Sequence, residues 1–297
     1  MPANLSLTIA MIIWGSSYIA LKHAIQFYPP EWVMFLRMSI TLICCACLWR
    51  WVRQFNYQSG DWKLLLLMSA AEPCLFFWFE GQALLYTSAA QAGVLVSCLP
   101  IFVAVLAWFF LKERCSSAIA VGFLFCIGGS ILLSVVSNTS EHAPNPLLGN
   151  ALEMGAMFFA AVYTLCVKKL STRYSPLSLI ALQGISGSLF FAPQAFVIPF
   201  PAEQDLMSLF CIVYLGAFVT IGAYGLYNYA IAKVSVLKVA AFSNLIPVFA
   251  LLLAVLLLGE TISLLQGLAI ACIFIGVYIS QQHKKTAPTA EKPIGQS

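Results

Sequence analysis

The sequence predicts an all-α membrane protein of ten transmembrane helices, arranged as two inverted five-helix repeats. Three observations carry this. The chain of 297 residues is 61% hydrophobic and 9% charged, against roughly 25% charged in a soluble domain, which leaves too few charges to cover a water-facing surface. The apolar residues fall into ten runs, each near the ~20 residues that cross a bilayer. One stretch also occurs twice at a spacing of 147 residues, as Ser97–Glu113 and Asn244–Glu260. Pro100 falls on Pro247, Phe102 on Phe249, Leu106 on Leu253, Ala107 on Ala254 and Glu113 on Glu260. A proline inside an apolar run, closed by a glutamate at one fixed distance in both copies, marks a duplication.

Charge, Pro and Gly bound the runs in order. Span 1 is Leu5–Ile25, read as the first span and not a cleaved signal, because it lacks a basic leader and runs into polar WGSS. Span 2 is Trp32–Val52, span 3 Trp62–Gln82, span 4 Tyr86–Leu111 and span 5 Ser116–Val136. Span 6 is Leu148–Val167, span 7 Leu177–Ile198, span 8 Leu206–Tyr227, span 9 Val236–Leu258 and span 10 Leu264–Gln281. The repeats occupy residues 1–136 and 148–281, with a hydrophilic connection at 137–147 and a polar tail at 282–297 that is expected to be disordered.

Lys and Arg placement sets the orientation, since cytoplasmic loops hold the excess. With both termini inside, thirteen of the 15 basic residues fall in inner loops and the tail. The formal net charge of +4 is therefore a topology signal; no nucleic-acid partner is needed to explain it. Five spans is an odd number, so the second copy inserts upside down. The charges agree: Lys112 and Arg114 flank Glu113 on the inside, whereas Gly259 and Thr261 flank Glu260 on the outside. Lys22 after span 1 matches Lys168 or Lys169 after span 6, and Arg37 matches Gln183. Duplication with inversion is a transporter architecture, with its site near the midplane between repeats.

WGSSYIALK at Trp14–Lys22, Pro30 followed by Arg37, and the proline helix closed by Lys-Glu-Arg at 112–114 and Gly-Glu-Thr at 259–261 resemble the EamA family of the drug/metabolite transporter superfamily. The resemblance implies a ten-helix, two-repeat carrier of the inner (plasma) membrane, often an exporter of amino acids or other metabolites. Its central cavity would be lined by spans 1, 3, 4, 6, 8 and 9. The motifs are silent on substrate.

The residues themselves nominate a site. Pro100 and Pro247 leave the carbonyls of Val96 and Ser243 without helical partners, beside the polar pair Ser97 and Asn244. This suits a cavity wall or a hinge. Glu72 and Glu80 in span 3 and Glu153 in span 6 lie inside apolar runs. An ionisable group at mid-bilayer costs at least ~2.5–3.5 kcal/mol, so such groups face the bundle interior and have a partner or a task. Glu72 could be counter-ion to an ammonium group or carry a proton; pairing with Arg37 is the structural alternative. On an unbroken helix Glu72 and Glu80 share one face, roughly 12 Å apart, with Glu80 expected to reach water at the outer end. Trp14, Ser17 and Tyr18 share one face of span 1, and Tyr163 and Tyr224 complete the candidate lining. Glu113 and Glu260 read mainly as helix caps for Ser116 and Ser263. Gly81, Ala92, Gly93, Gly128 and Gly129 read as close helix contacts.

No Walker A sequence, nucleophile motif or histidine pair is present, so the expectation is a non-enzymatic secondary transporter with no metal or cofactor. The ten cysteines read as packing residues. Its partners would be a small-molecule substrate, the bilayer and protons as a coupling ion, in a monomer or homodimer. A flippase of lipids or lipid-linked solutes is the first alternative; a channel, a sensor or an intramembrane enzyme follows.

Overall fold

The computed structural model describes residues 1–53, 56–111, 117–136, 140, 143–234 and 236–281. Helix dominates, and among the described residues there is no strand beyond an isolated bridge between Ser140 and Ala143. Among the described residues seven helices are long and apolar enough to cross a membrane. They are α1 (Ala3–Phe27), α2 (Pro30–Cys47), α3 (Asp61–Tyr86), α4 (Ala89–Phe110), α6 (Pro146–Leu170), α7 (Pro176–Val197) and α8 (Leu206–Ile231). Spans 5, 9 and 10 correspond to α5 (Ser117–Val136), the pair α9 (Val236–Ser243) and α10 (Leu245–Leu258), and α11 (Leu264–Gln281). Their apolar stretches, Ala120–Leu133, Leu245–Leu258 and Leu264–Ile279, are shorter.

Local chemistry sets the helix starts. Ser88, Asn145, Ser175 and Asp205 each accept a hydrogen bond from the backbone N–H three residues on, the N-cap arrangement. Pro30, Pro146 and Pro176 occupy first-turn positions where the missing N–H costs nothing. Helices α6 and α7 therefore begin at the proline, one or two residues before the apolar run. Span 2 ends earlier than its hydrophobicity suggests: Leu48 leaves helical geometry after Cys47, and Trp49–Val52 forms a separate short turn.

Several helix ends are satisfied by side chains from other helices. Lys22 Nζ donates to the carbonyls of Leu84 and Thr87 at 2.5 and 2.8 Å, closing α3. Lys168 Nζ donates to Ile231 and Val234 at 2.7 and 2.8 Å, closing α8. Glu260 does not cap the helix that follows it: its carboxylate accepts from Ala89 N and Ala90 N, both at 3.1 Å, at the start of α4. The helix that needs an anion is the one brought close in space, which sequence adjacency could not reveal. Glu113 and the 282–297 tail lie outside the described residues. On the opposite side of the sequence repeat, Arg173 Nη2 and Tyr174 Oη both donate to Asp61, the latter at 3.0 Å. Burial and the Asp61 carboxylate push the Tyr174 phenol up to about 12, so it remains a donor at neutral pH.

The main helix pairings are α5 with α11, α2 with α7, α3 with α6, α1 with α8, and α10 with both α1 and α4. Small residues allow the closest approaches. A Cβ on Gly93 would lie 2.3 Å from Ala250 Cβ, and one on Gly129 would lie 2.6 Å from Ile273. Gly128 is different: nothing stands within 4 Å of its added Cβ, so it is not a close contact. Trp51, Trp62 and Tyr278 are exposed on the outer surface.

This contrast is testable within one helix. Gly129→Ala should destabilise by about 1–3 kcal/mol through overpacking against α11. Gly128→Ala should be neutral or slightly stabilising through helix propensity. Thermal unfolding of the purified protein in detergent compares the two.

Candidate functional site

The helices around the interior are interrupted. Glu72 has extended backbone geometry (φ −148°, ψ 117°) and precedes a cis Pro73, so α3 is two helical pieces. Helix α8 is π-helical over Tyr214–Ala223, and α4 tightens to 3-10 geometry over Val96–Cys98, just before Pro100. In the second copy the break comes at Asn244, between α9 and α10 and before Pro247. Irregular backbone at membrane depth is tolerated only where protein buries it or water fills a cavity.

A cavity of about 60 Å³ lies among these interruptions. It is large enough for a few waters. Trp14, Ser17, Tyr18, Glu72, Glu80, Tyr163 and Tyr224 line it, as the sequence nominated. So do Arg37, Phe76, Val96, Leu99, Met157, Ala160, Thr164, Tyr227 and Ile246. Ser97, Pro100, Asn244 and Pro247 are not among the lining residues. Ser97 is buried and its hydroxyl donates to its own helix at Val94 O, 2.6 Å away. Pro100 and Pro247 are buried in packing contacts. Glu153 stands behind the wall, where Tyr18 Oη donates to its Oε1 at 2.9 Å.

The charged groups form one cluster. Glu80 does not reach water: it is 4% exposed and its Oε2 lies 3.8 Å from Arg37 Nη1. The break at Glu72 ends the single helical face on which the two glutamates were expected, yet both turn into the cavity. Arg37 is held from α8 and from α3. Its Nε donates to Thr220 Oγ1 at 3.1 Å, and its guanidinium carbon sits 4.0 Å over the Phe77 ring. Glu72 instead accepts a hydrogen bond from Tyr224 Oη. Aromatic groups form the rest of the wall. Trp14 meets Tyr224 edge-on at 4.9 Å and 77°, and Tyr227 at 5.0 Å. Tyr163 Oη donates to Asn228 Oδ1 at 3.1 Å, and Thr164 and Tyr227 share a hydrogen bond of 2.9 Å. Among the described residues no three His, Cys, Asp or Glu side chains converge as a metal-binding group.

Arg37 lining the cavity, rather than standing apart as a structural partner, was the main omission from the sequence-level list. Its isolation as a cation inside an apolar run was the available signal. Thr164 and Phe76 carried none.

Breaking a buried pair by removing one partner costs about 3–5 kcal/mol, because the other charge is stranded. Arg37→Leu should therefore lower thermal stability strongly. The double variant Arg37→Leu/Glu80→Leu should recover a substantial part of that loss. A double variant no more stable than Arg37→Leu would show that the pair is not the source.

Comparison with known proteins follows from this geometry. The family model described as the EamA-like transporter family matches residues 1–135 and again 147–281. An uncharacterized transporter of Bacillus subtilis (strain 168) is 26% identical over 303 residues, covering 98% of this chain and 91% of that protein. A probable amino-acid metabolite efflux pump of Escherichia coli (strain K12) is 25% identical, covering 92% of each. A probable terminal-alkyne amino-acid exporter of Streptantibioticus cattleyicolor is 24% identical, covering 86% of this chain and 85% of that one. One solved crystal structure superposes with a TM-score of 0.67 at 19% identity, covering 94% of this chain and 96% of its own, and shares the fold.

Proposed function

Since the chain belongs to the EamA-like transporter family and is a multi-pass membrane transporter of a small-molecule substrate, we propose that it exports small metabolites such as amino acids or amines across the inner membrane by alternating access. Its role is transport and not catalysis, as with its relatives. The observation that carries the reading is the cavity where interrupted helices from both halves of the chain meet around Glu72, Glu80 and Arg37. A cavity of about 60 Å³ has room for a few waters, so in this proposal it widens to take a metabolite. Broken helices are where a bundle can bend.

Ten spans in two inverted repeats supply the motion in this proposal. The equivalent contacts of Lys22 and Lys168 support it. Lys22 holds Leu84 and Thr87, Lys168 holds Ile231 and Val234, and the two pairs of carbonyls are related by the same spacing as the duplicated stretch. The pairings α1 with α8 and α3 with α6 are interchanged by that relation. With both termini cytoplasmic, Lys22 and Glu260 lie at the outer face and Lys168 at the inner. Protons carried on the buried glutamates are the proposed driving ion, since no nucleotide motif is present.

Cells expressing the protein should accumulate ammonium-bearing metabolites in their medium relative to cells without it, read by untargeted mass spectrometry. Glu72→Gln should cut that accumulation at least ten-fold at equal membrane abundance, and Glu203→Gln in an exposed loop should not. Unchanged accumulation by Glu72→Gln would remove both the proton and the counter-ion roles.

A further inference from the structure

We propose that the cavity selects organic cations that lack a carboxylate, an amine or alkylammonium head, over zwitterionic amino acids. This deepens the transport reading and rests on it for the passage step, though not for binding. Three carboxyl groups stand in or directly behind the cavity wall: Glu72, Glu80 and Glu153. Against them stands one guanidinium, that of Arg37. Its Nε donates to Thr220, its Nη1 lies 3.8 Å from Glu80 and its plane lies over Phe77, so the cavity's one guanidinium is already shared with a carboxyl group. Lys22, the other buried cation among the described residues, is held at the end of α3 by two carbonyls and does not line the cavity. The broken helix offers an anion little, because Pro73 has no N–H and the Phe76 N–H is bonded back to Ala71. A substrate carboxylate would therefore meet three carboxyl groups and would have to compete with Glu80 for the one guanidinium.

A cation meets the opposite conditions. Glu72 supplies a carboxyl that accepts a hydrogen bond from a phenol, Tyr224, and lines the cavity. Trp14 stands nearly perpendicular to Tyr224 and tilted to Tyr227, so the rings form the corner of an aromatic box. Such boxes attract ammonium groups through the negative faces of their rings. The small volume, about 60 Å³, suits a head group rather than a whole metabolite. The rest of a substrate would occupy space made on opening.

Matched probes that differ by the carboxylate decide the matter. The full chain, purified in detergent, is titrated with phenethylamine against phenylalanine and with tetramethylammonium against glycine betaine, reading the thermal unfolding midpoint. The amine or ammonium member of at least one pair should act at ten-fold or more lower concentration than its carboxylate-bearing counterpart. Glu72→Gln should remove that effect, and Glu203→Gln should keep it. Should Glu72→Gln fail to fold, the wild-type ratios still decide. Equal or stronger stabilisation by phenylalanine or betaine overturns the proposal, as does no stabilisation by either cation at millimolar concentration. Counterflow of the same probes in proteoliposomes separates the two readings. A cation that binds but is not carried counts against transport and leaves the selectivity standing. A zwitterion carried in preference to its amine overturns the selectivity and leaves transport standing.

Discussion

The interior depends on one guanidinium. Arg37 stands between acidic side chains in a region that water does not reach freely, and its engagements come from three helices: Glu80 and Phe77 on α3, Thr220 on α8, and its own α2 backbone. Thr41, one turn on, ties that backbone to α8 by donating to both Arg37 O at 2.9 Å and Gly216 O at 2.8 Å. Placing α8 this close requires Gly216, where a Cβ would lie 2.7 Å from Arg37 O. The π-helical turn of α8 begins beside this contact and carries Thr220 to Arg37 and Tyr224 to Glu72. One buried cation thus ties α2 to Glu80 on α3 and to Thr220 on α8, one turn before the tyrosine that bonds Glu72. Arginine suits the task because its planar fork can hydrogen-bond and stack at once.

The second constraint is the backbone. Lipid cannot satisfy the orphan carbonyls and amides at helix ends, and here side chains from elsewhere in the chain do so. Lys22 and Lys168 neutralise C-terminal ends, and the Glu260 carboxylate spans two amides at the start of α4. These signs complement the helix dipole. Lys22 and Glu260 bracket the α3–α4 junction between Leu84 and Ala90, where Thr87 donates to Asn150 at 2.7 Å and Asn150 to Gln91 at 2.9 Å. A polar knot thus forms where α3, α4 and α6 meet. The Asp61, Arg173 and Tyr174 cluster ties α3 to the α6–α7 connection at the other.

The legible part of the structure was that written in local chemistry. The apolar runs, the serine, asparagine and aspartate caps, and the first-turn prolines fix most helix positions within the sequence itself. The equivalence of Lys22 and Lys168 was also readable, and the contacts select Lys168 over Lys169. What escaped reading depends on which helices meet. Glu260 sits beside Ser263 in sequence but serves Ala89 and Ala90 across 170 residues. Glu80 lies near a run end, yet α2 delivers Arg37 to it and excludes water. The break at Glu72 was foreshadowed only by Pro73. The repeated prolines misled in part: Val96, Leu99 and Ile246 beside them line the cavity, but Pro100, Pro247, Ser97 and Asn244 do not.

That last point bears on where specificity resides. The duplicated stretch is nearly the same in both halves, whereas the site is not. At the repeat spacing of 147 Glu72 corresponds to Val219 and Glu80 to Tyr227, while Arg37 corresponds to Gln183 when Pro30 is set on Pro176. A scaffold that rocks between two equivalent states needs similar hinges in both halves, and proline, glycine and capping lysine are matched accordingly. A site that recognises one chemistry needs the reverse, because a symmetric pair of carboxylates would repel and would have to be neutralised twice. The first half therefore supplies Glu72, Glu80 and the guanidinium, and α8 of the second half supplies Tyr224 and Tyr227. Duplication accounts for how the helices are held, and the departures from duplication account for what the cavity can hold.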